Sequence, residues 1–185
     1  RTPFHSQLTQ HGAVFGELAG WERANWFADK NQEADYAYSW KRQNWFENSA
    51  REHHAIRNDV GMYDMSSFGK IRIEGRDCEA FLNYVCGAEL AVPFGKIVYT
   101  QFLNRHGGIE ADVTVTRLSE TAYLVVTPAA TRQADETWLR RHLGEYKVVI
   151  TDVTSGEGVL AVMGPKAREV MQAVSPNNFD NNANP

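Results

Sequence analysis

Hydrophobic and polar positions alternate along two stretches near the middle of the chain. The first covers residues 99–103 and the second covers residues 113–117. A period of two residues is typical of a strand with one buried face. Between them, residues 104–108 read Asn-Arg-His-Gly-Gly, and these residue types tolerate positive φ. The pattern therefore predicts an antiparallel hairpin.

Asp112 interrupts the β-branched run at the start of the second strand of this hairpin. Aspartate is among the residues most depleted in strands, so its presence there needs a reason. The carboxylate either faces solvent or closes a local turn, or it lines a ligand cavity. The pattern alone leaves these alternatives open.

The hairpin lies within a longer succession of predicted elements. Extended structure over residues 62–74 and a helix over 78–85 precede it, and a strand over 122–127, a helix over 131–143 and a strand over 147–152 follow it. Runs of strands with helices on one face are typical of α+β proteins. We expect an antiparallel sheet with its helices on one face.

Three segments are predicted from these patterns. Residues 1–50 form an aromatic-rich entry segment with little periodicity, and residues 51–153 form the first α+β unit. This unit opens with a helix over residues 50–59, capped by Ser49. Residues 154–185 repeat the strand-then-helix order, so we expect them to begin a second, similar half that stops early.

Composition and charge exclude several classes of protein. The 185 residues are 43% hydrophobic and 23% charged, which is ordinary for a globular chain. A net charge of −4 without a Lys/Arg block argues against nucleic-acid partners. No apolar run approaches the roughly 20 residues of a membrane span. Cys78 and Cys86 are expected to be free thiols in a reducing compartment, either the cytoplasm or the mitochondrial matrix of a eukaryote.

No short motif identifies a familiar active site. The chain contains no Walker loop, no GxGxxG after a strand and no HExxH sequence. His53 and His54 are adjacent on a predicted helix, so their side chains point in different directions and no metal site is expected.

Longer blocks carry a resemblance. Residues 52–71, 99–115 and 162–166, the last reading Val-Met-Gly-Pro-Lys, resemble in order the glycine-cleavage T-protein (aminomethyltransferase) superfamily. Residues 1–5, 12–16 and 20–28 are similar to the start of the folate domain that follows the flavin domain in dimethylglycine and sarcosine dehydrogenases. The resemblance extends from the first residues to about residue 174.

This resemblance implies a ferredoxin-like half of the T-protein folate-binding fold. It implies tetrahydrofolate as the cofactor, with FAD only on a separate domain. Asp112 matches the catalytic aspartate, which positions the folate amine that attacks a one-carbon unit. Tyr99 matches a tyrosine of the same pocket. The rest of the pocket wall is expected from the remaining folate-binding candidates, which are Phe68, Leu103, Thr114 and Thr127.

The implied function is capture of an iminium or formaldehyde equivalent from N-methylglycine oxidation as 5,10-methylenetetrahydrofolate. A free-standing aminomethyltransferase and a non-catalytic folate-binding or scaffold module are the alternatives. Expected partners are folate, a methylated amine, and a flavin domain or a lipoyl carrier protein. Ala111 stands where the T-protein usually has a second acid. The family's second pterin-binding acid matches no residue up to 185, so this piece alone is expected to bind folate weakly or not at all.

Overall fold

The computed structural model describes residues 1–183, which form two compact units. Unit 1 comprises Arg1–Met65 together with the segment from Gly158 onwards, and unit 2 is Ser66–Glu157. These boundaries differ from the predicted divisions after residues 50 and 153. In chain order the elements are α1 (His5–Gln10), β1 (Ala13–Leu18), β2 (Trp21–Phe27), α2 (Phe46–Asn58), β3 (Gly61–Asp64), β4 (Gly69–Glu74), α3 (Cys78–Val85), β5 (Ile97–Leu103), β6 (Ile109–Ser119), β7 (Ala122–Thr127), α4 (Arg132–Arg141), β8 (Val149–Asp152), a short 3-10 helix (Thr154–Gly156), β9 (Leu160–Met163) and α5 (Ala167–Val174).

Unit 2 is built on a five-stranded antiparallel sheet with the strand order β5-β6-β7-β4-β8. One face of this sheet, here called the core face, packs against α3 and α4. The main hydrophobic cluster joins the sheet residues Ile71, Ile73, Phe102, Val113, Val115, Tyr123 and Val125 to the helix residues Phe81, Leu82 and Leu139. Burying one such side chain stabilises the fold by roughly 1.5–3 kcal/mol. The predicted α+β class with helices on one face is confirmed.

Unit 1 contains two separate antiparallel ribbons, β1-β2 and β3-β9. The predicted continuous extended segment over residues 62–74 is wrong, because a bend at residues 66–68 separates β3 from β4. β3 pairs with β9, while β4 belongs to the large sheet. The strand and helix that were predicted to begin a second half are present as β9 and α5. That they open a half similar to unit 2 stays a prediction.

The helix α2 begins one turn before its predicted start. Ser49, which was predicted to cap the helix, lies inside it, and its backbone N–H donates to the Trp45 carbonyl at 3.1 Å. No side chain caps the observed N-terminus of this helix. The predicted cap at Ser49 is therefore wrong, because residues 46–48 are already helical.

Residues 1–183 show neither a membrane-spanning helix nor a cluster of metal-ligating side chains. Over this range, no helix combines the length and the apolar composition needed to cross a bilayer. The same residues contain no group of three or more His, Cys, Asp or Glu side chains that could hold a metal ion.

Candidate functional site

The turn between β5 and β6 is fixed by one asparagine. The Asn104 carbonyl accepts the Gly107 N–H at 2.9 Å, and the Asn104 side-chain oxygen accepts the backbone N–H groups of His106 and Gly108 at 2.9 and 3.0 Å. Gly107 has φ +76°, a conformation that residues with a Cβ rarely adopt. The sequence Asn-Arg-His-Gly-Gly therefore folds locally into the predicted hairpin turn.

The register of this hairpin places Asp112 directly opposite Gln101 and Tyr99 directly opposite Thr114. Side chains of directly opposed residues in an antiparallel pair lie on the same face of a sheet. These four residues therefore share the face opposite the core face, which we call the outer face. The neighbours of Asp112 in sequence, Ala111 and Val113, are 7% and 2% exposed.

The Asp112 carboxylate is exposed, and each of its oxygens accepts a hydrogen bond from β5. The Tyr99 hydroxyl donates to Oδ2 at 2.7 Å, and the Gln101 amide donates to Oδ1 at 3.2 Å. Tyr99 and Gln101, which lie two residues apart on β5, thus both donate to the carboxylate on β6. A carboxylate has about four acceptor positions, so acceptor capacity remains for a ligand.

Asp112 changes the acidity of the tyrosine that it contacts. The hydrogen bond between them is the largest effect that raises the pKa of Tyr99, because the neutral phenol donates that bond and the phenolate cannot. The negative charge of Asp112 raises this pKa further, and a hydrogen bond with Gln101 lowers it. Tyr99 is 65% exposed, so its ring also offers open apolar surface beside the carboxylate.

Phe68 lies at a distance from this group within the same unit. It is half-buried in the bend that precedes β4, and β7 lies between β4 and β6 in the sheet. Two strand spacings correspond to about 10 Å. Among the candidates, the structure therefore brings Tyr99, Asp112 and Thr114 together and leaves Phe68 further along the sheet.

Leu103 does not join the outer-face group. The register shifts between Phe102 and Leu103, and such an irregularity turns the following side chain away from the alternation of its strand. Leu103 instead lines a cleft of about 390 Å³ with Tyr84 of α3, Trp138 of α4 and His142, which directly follows α4. The structure thus separates Leu103 from Asp112.

Thr127 lies on the core face. It pairs with Gly69 at the end of β7, is 1% exposed, and donates a hydrogen bond to the buried Asp135 side chain of α4. The expectation that Thr127 lines the same wall as Asp112 is corrected by this placement. Because side chains alternate along a strand, the outer-face residue at this end of β7 is Val126, which pairs with Thr114.

The sequence interpretation missed Gln101 and Lys70. Gln101 could have been found by continuing the hairpin register from its turn, because this places it opposite Asp112. Lys70 pairs with Val126 and is only 1% exposed, and its ammonium group donates to the carbonyls of Ser66 and Phe68 at 2.9 and 3.1 Å. A lysine within an alternating strand gives no sequence signal that it is buried.

The fold and the order of the matched blocks have a counterpart among known families. The chain belongs to the family described as the GCVT N-terminal domain, whose profile matches residues 4–185. Among curated proteins, it is 40% identical over 183 residues to a 4-methylaminobutanoate oxidase (formaldehyde-forming) from Paenarthrobacter nicotinovorans. It is also 30% identical over 176 residues to an aminomethyltransferase from Alkaliphilus oremlandii.

The chain spans only part of these relatives. The two alignments cover 99% and 95% of this chain, but 22% of the oxidase and 43% of the aminomethyltransferase. Because the family profile matches residues 4–185, the resemblance inferred from the sequence blocks is confirmed at the level of the family.

Solved structures show the same fold. The glycine cleavage system aminomethyltransferase T from Bartonella henselae superposes with a TM-score of 0.78 at 26% identity, over 96% of this chain and 44% of that one. A heterotetrameric sarcosine oxidase from Corynebacterium sp. U-96 superposes with a TM-score of 0.53 at 16% identity, over 77% of this chain and 70% of that one. The second likeness shows the fold alone.

Proposed function

We propose that the complete protein uses unit 2 to bind tetrahydrofolate and to capture a one-carbon unit as 5,10-methylenetetrahydrofolate. The one-carbon unit would arrive as an iminium or formaldehyde equivalent from oxidation of N-methylglycine, at a flavin held by a separate domain. The observation that carries the proposal is the exposed Asp112 carboxylate, whose two oxygens are held by Tyr99 and Gln101.

The residues of the outer face fit a flat heterocycle that carries N–H donors. The exposed ring of Tyr99 offers an apolar surface, and Asp112 offers acceptors beside it. Thr114, opposite Tyr99 and half-buried, adds a hydroxyl group next to both. Tetrahydrofolate supplies the amine that forms the new C–N bond when it is bound.

Asp112 would perform two tasks during this step. Its carboxylate would accept the hydrogen of the attacking amine and so point the nitrogen lone pair at the one-carbon unit. The same negative charge would stabilise the positive charge that develops on nitrogen as the C–N bond forms. Formation of the second C–N bond would release the amine of the iminium, or water when formaldehyde is the donor, and this leaving group would take up the two N–H hydrogens of the folate. Tyr99 would hold one carboxylate oxygen while the other faces the amine. Positioning two reactants in this way can supply most of the rate enhancement that such an addition needs.

The relatives support this proposal at the level of the reaction class. The similar oxidase from Paenarthrobacter nicotinovorans is named as formaldehyde-forming and as acting on 4-methylaminobutanoate. A methylated amino acid and a one-carbon product of this kind match the proposed reaction. We therefore propose an N-methylated amino acid as the class of amine substrate, of which N-methylglycine is one member.

A free-standing aminomethyltransferase is the second candidate function. It is favoured by the aminomethyltransferase from Alkaliphilus oremlandii and by the structural likeness to aminomethyltransferase T. The two candidates differ in the source of the one-carbon unit. A bound flavin in the purified complete protein, with turnover of a methylated amine, supports the oxidase setting. Turnover of a lipoyl-carried aminomethyl group without flavin supports the aminomethyltransferase.

Substitution of Asp112 in the complete protein tests the catalytic proposal. Asp112→Asn should lower kcat for 5,10-methylenetetrahydrofolate formation by about 100-fold, since a single group that stabilises developing charge contributes on this scale. Glu110→Gln is the matched control, because Glu110 is an exposed carboxylate two residues away on β6 that accepts a hydrogen bond from the Asn104 amide at 2.7 Å. Its rate should stay within about twofold of the wild type.

Two results would contradict the proposal. An unchanged rate in Asp112→Asn would show that this residue has no catalytic role, and a non-catalytic folate-binding or scaffold module would then be the better description. Absence of tetrahydrofolate binding by the wild-type complete protein, measured by calorimetric titration, would contradict the central claim itself.

A further inference from the structure

Gln101 is the second donor to the Asp112 carboxylate, and neither the resemblance nor the comparisons assign it a role. We propose that Gln101 is a positioning residue, whose amide fixes the orientation in which the Asp112 carboxylate receives the attacking amine. This inference rests on the proposed function and adds to it the residue that sets the angle of the acceptor.

The position of Gln101 makes it suited to this task. It lies directly opposite Asp112 in the β5-β6 register, so its side chain needs to cross only one strand spacing. Its amide nitrogen reaches Oδ1 at 3.2 Å, while the Tyr99 hydroxyl holds Oδ2 at 2.7 Å. With Tyr99 alone, the carboxylate could rotate about its Cβ–Cγ bond around a single anchored oxygen. A second donor on the other oxygen restrains that rotation.

Gln101 also acts on Tyr99. The hydrogen bond to Asp112 raises the pKa of the phenol, and a hydrogen bond with Gln101 opposes this effect. Tyr99 and Gln101 each donate to the Asp112 carboxylate, so the three side chains form one connected polar group. In such a network, removal of one member changes the others, so a variant of Gln101 should alter a property of Tyr99 that can be measured without any ligand.

A purely structural role would not require an amide at this position. Gln101 is half-buried on the outer face of β5, where an apolar side chain of similar length would fit the pattern of the strand equally well. Methionine matches glutamine closely in length and has no N–H donor. Gln101→Met therefore removes the hydrogen bonds while keeping the strand, and Gln133→Met, at an exposed position of α4, is the matched control.

The first measurement is the steady-state rate of 5,10-methylenetetrahydrofolate formation by the complete protein. Gln101→Met should lower kcat about tenfold, because an oriented hydrogen bond to a charged group contributes on this scale. KM for tetrahydrofolate should change less than about twofold, since the folate ring would still contact Tyr99 and Asp112 in the variant. Gln101→Glu, which is isosteric with glutamine but lacks the donors and brings a like charge opposite Asp112, should lower kcat further. It also tests the proposal if the methionine variant fails to fold.

The second measurement follows the pH titration of Tyr99 by NMR in the ligand-free complete protein, with tyrosine labelled at the ring carbon that bears the hydroxyl. Gln101→Met should raise the pKa of Tyr99 above that of the wild type, because an opposing hydrogen bond is lost. Gln133→Met should leave it unchanged.

The outcomes separate this inference from the proposed function. Normal turnover together with an unchanged Tyr99 titration in Gln101→Met would overturn the role of Gln101 and leave the proposed function intact. A fall in kcat with a shifted titration would support both. A wild type that does not bind tetrahydrofolate would overturn the proposed function and with it the positioning role, even if the Tyr99 titration shifts.

Discussion

The two faces of the five-stranded sheet in unit 2 are formed by alternating residues of the same strands, yet they differ in almost every property. On the core face of the hairpin, Phe102 and Val115 are fully buried. On its outer face, Tyr99 is 65% exposed and Ile97 is 60% exposed. The core face of the hairpin is mainly apolar, with Thr100 as a buried polar residue whose hydroxyl oxygen accepts the Ala88 N–H. The outer face carries the hydrogen-bonded group of Tyr99, Gln101 and Asp112.

The buried apolar side chains of the hairpin and its exposed polar group therefore lie one residue apart along the same strands. Burial on the core face supplies the hydrophobic stabilisation, so the outer face can carry polar residues that strands otherwise disfavour. Neighbouring residues should therefore respond to substitution in different measurements. Core-face variants should change the free energy of unfolding, and outer-face variants should change ligand chemistry.

The largest effect on stability is expected for Phe102→Ala. Removal of this fully buried ring leaves a cavity and should lower the free energy of unfolding by about 3–5 kcal/mol, measured by denaturant titration. Ile97→Ala on the outer face of the same strand is the control, and it should cost less than about 1 kcal/mol because the side chain already faces solvent. Equal losses for the two variants would contradict the division between the faces.

A smaller effect is expected for Thr127→Val, which tests the placement of Thr127 on the core face. The variant keeps the shape of the side chain but removes the hydroxyl that donates to Asp135. Asp135 is 3% exposed, and it then keeps only the hydrogen bond from the Thr131 hydroxyl at 2.8 Å. Loss of a partner by a buried polar group should lower the free energy of unfolding by about 1–3 kcal/mol. Tetrahydrofolate affinity of the complete protein should not change. A weakened affinity with unaltered stability would instead return Thr127 to the ligand wall.

The smallest expected effect is a shift in the pKa of Tyr99 on the outer face, with Tyr123 on the core face as the comparison. Burial is the main reason that the pKa of Tyr123 rises to about 12, whereas the hydrogen bond to Asp112 is the main reason that the pKa of Tyr99 rises. Asp112→Asn removes a charge that disfavours the phenolate, so the pKa of Tyr99 should fall towards its ordinary value. The pKa of Tyr123 should stay where it is. NMR titration of labelled tyrosines checks both, and a matching shift in Tyr123 would show that the two faces are coupled.

Local patterns predicted the parts of the fold that depend on local physics. The helix over residues 78–85 and the strand over 122–127 are observed with the predicted bounds, and both hairpin strands are present and longer than predicted. Alternation and turn chemistry act over a few residues, so a single sequence contains them. The same reasoning missed the bend between β3 and β4, because the pairing of β3 with β9 joins residues that are far apart in sequence.

The sequence predicted only part of the candidate site, because only that part depends on local register. Tyr99, Asp112 and Thr114 lie together because the hairpin register is set by its own turn. Leu103 and Thr127 lie elsewhere, because a register shift redirects the first and the alternation of β7 turns the second towards α4. Gln101 gave no signal as a residue type. Only its place opposite Asp112 in the strand register distinguishes it from other polar residues.

The β3-β9 ribbon has a consequence for how such proteins can be rearranged. The backbone N–H of Met65 donates to the carbonyl of Val159 at 2.9 Å, so the chain leaves and re-enters unit 1 at adjacent points. Unit 2 is therefore topologically an insertion in unit 1. Unit 2 can be exchanged for that of a homologue without a change in the path of β3 and β9. The two ends of unit 2 can also be joined to each other, with new termini made in one of its loops.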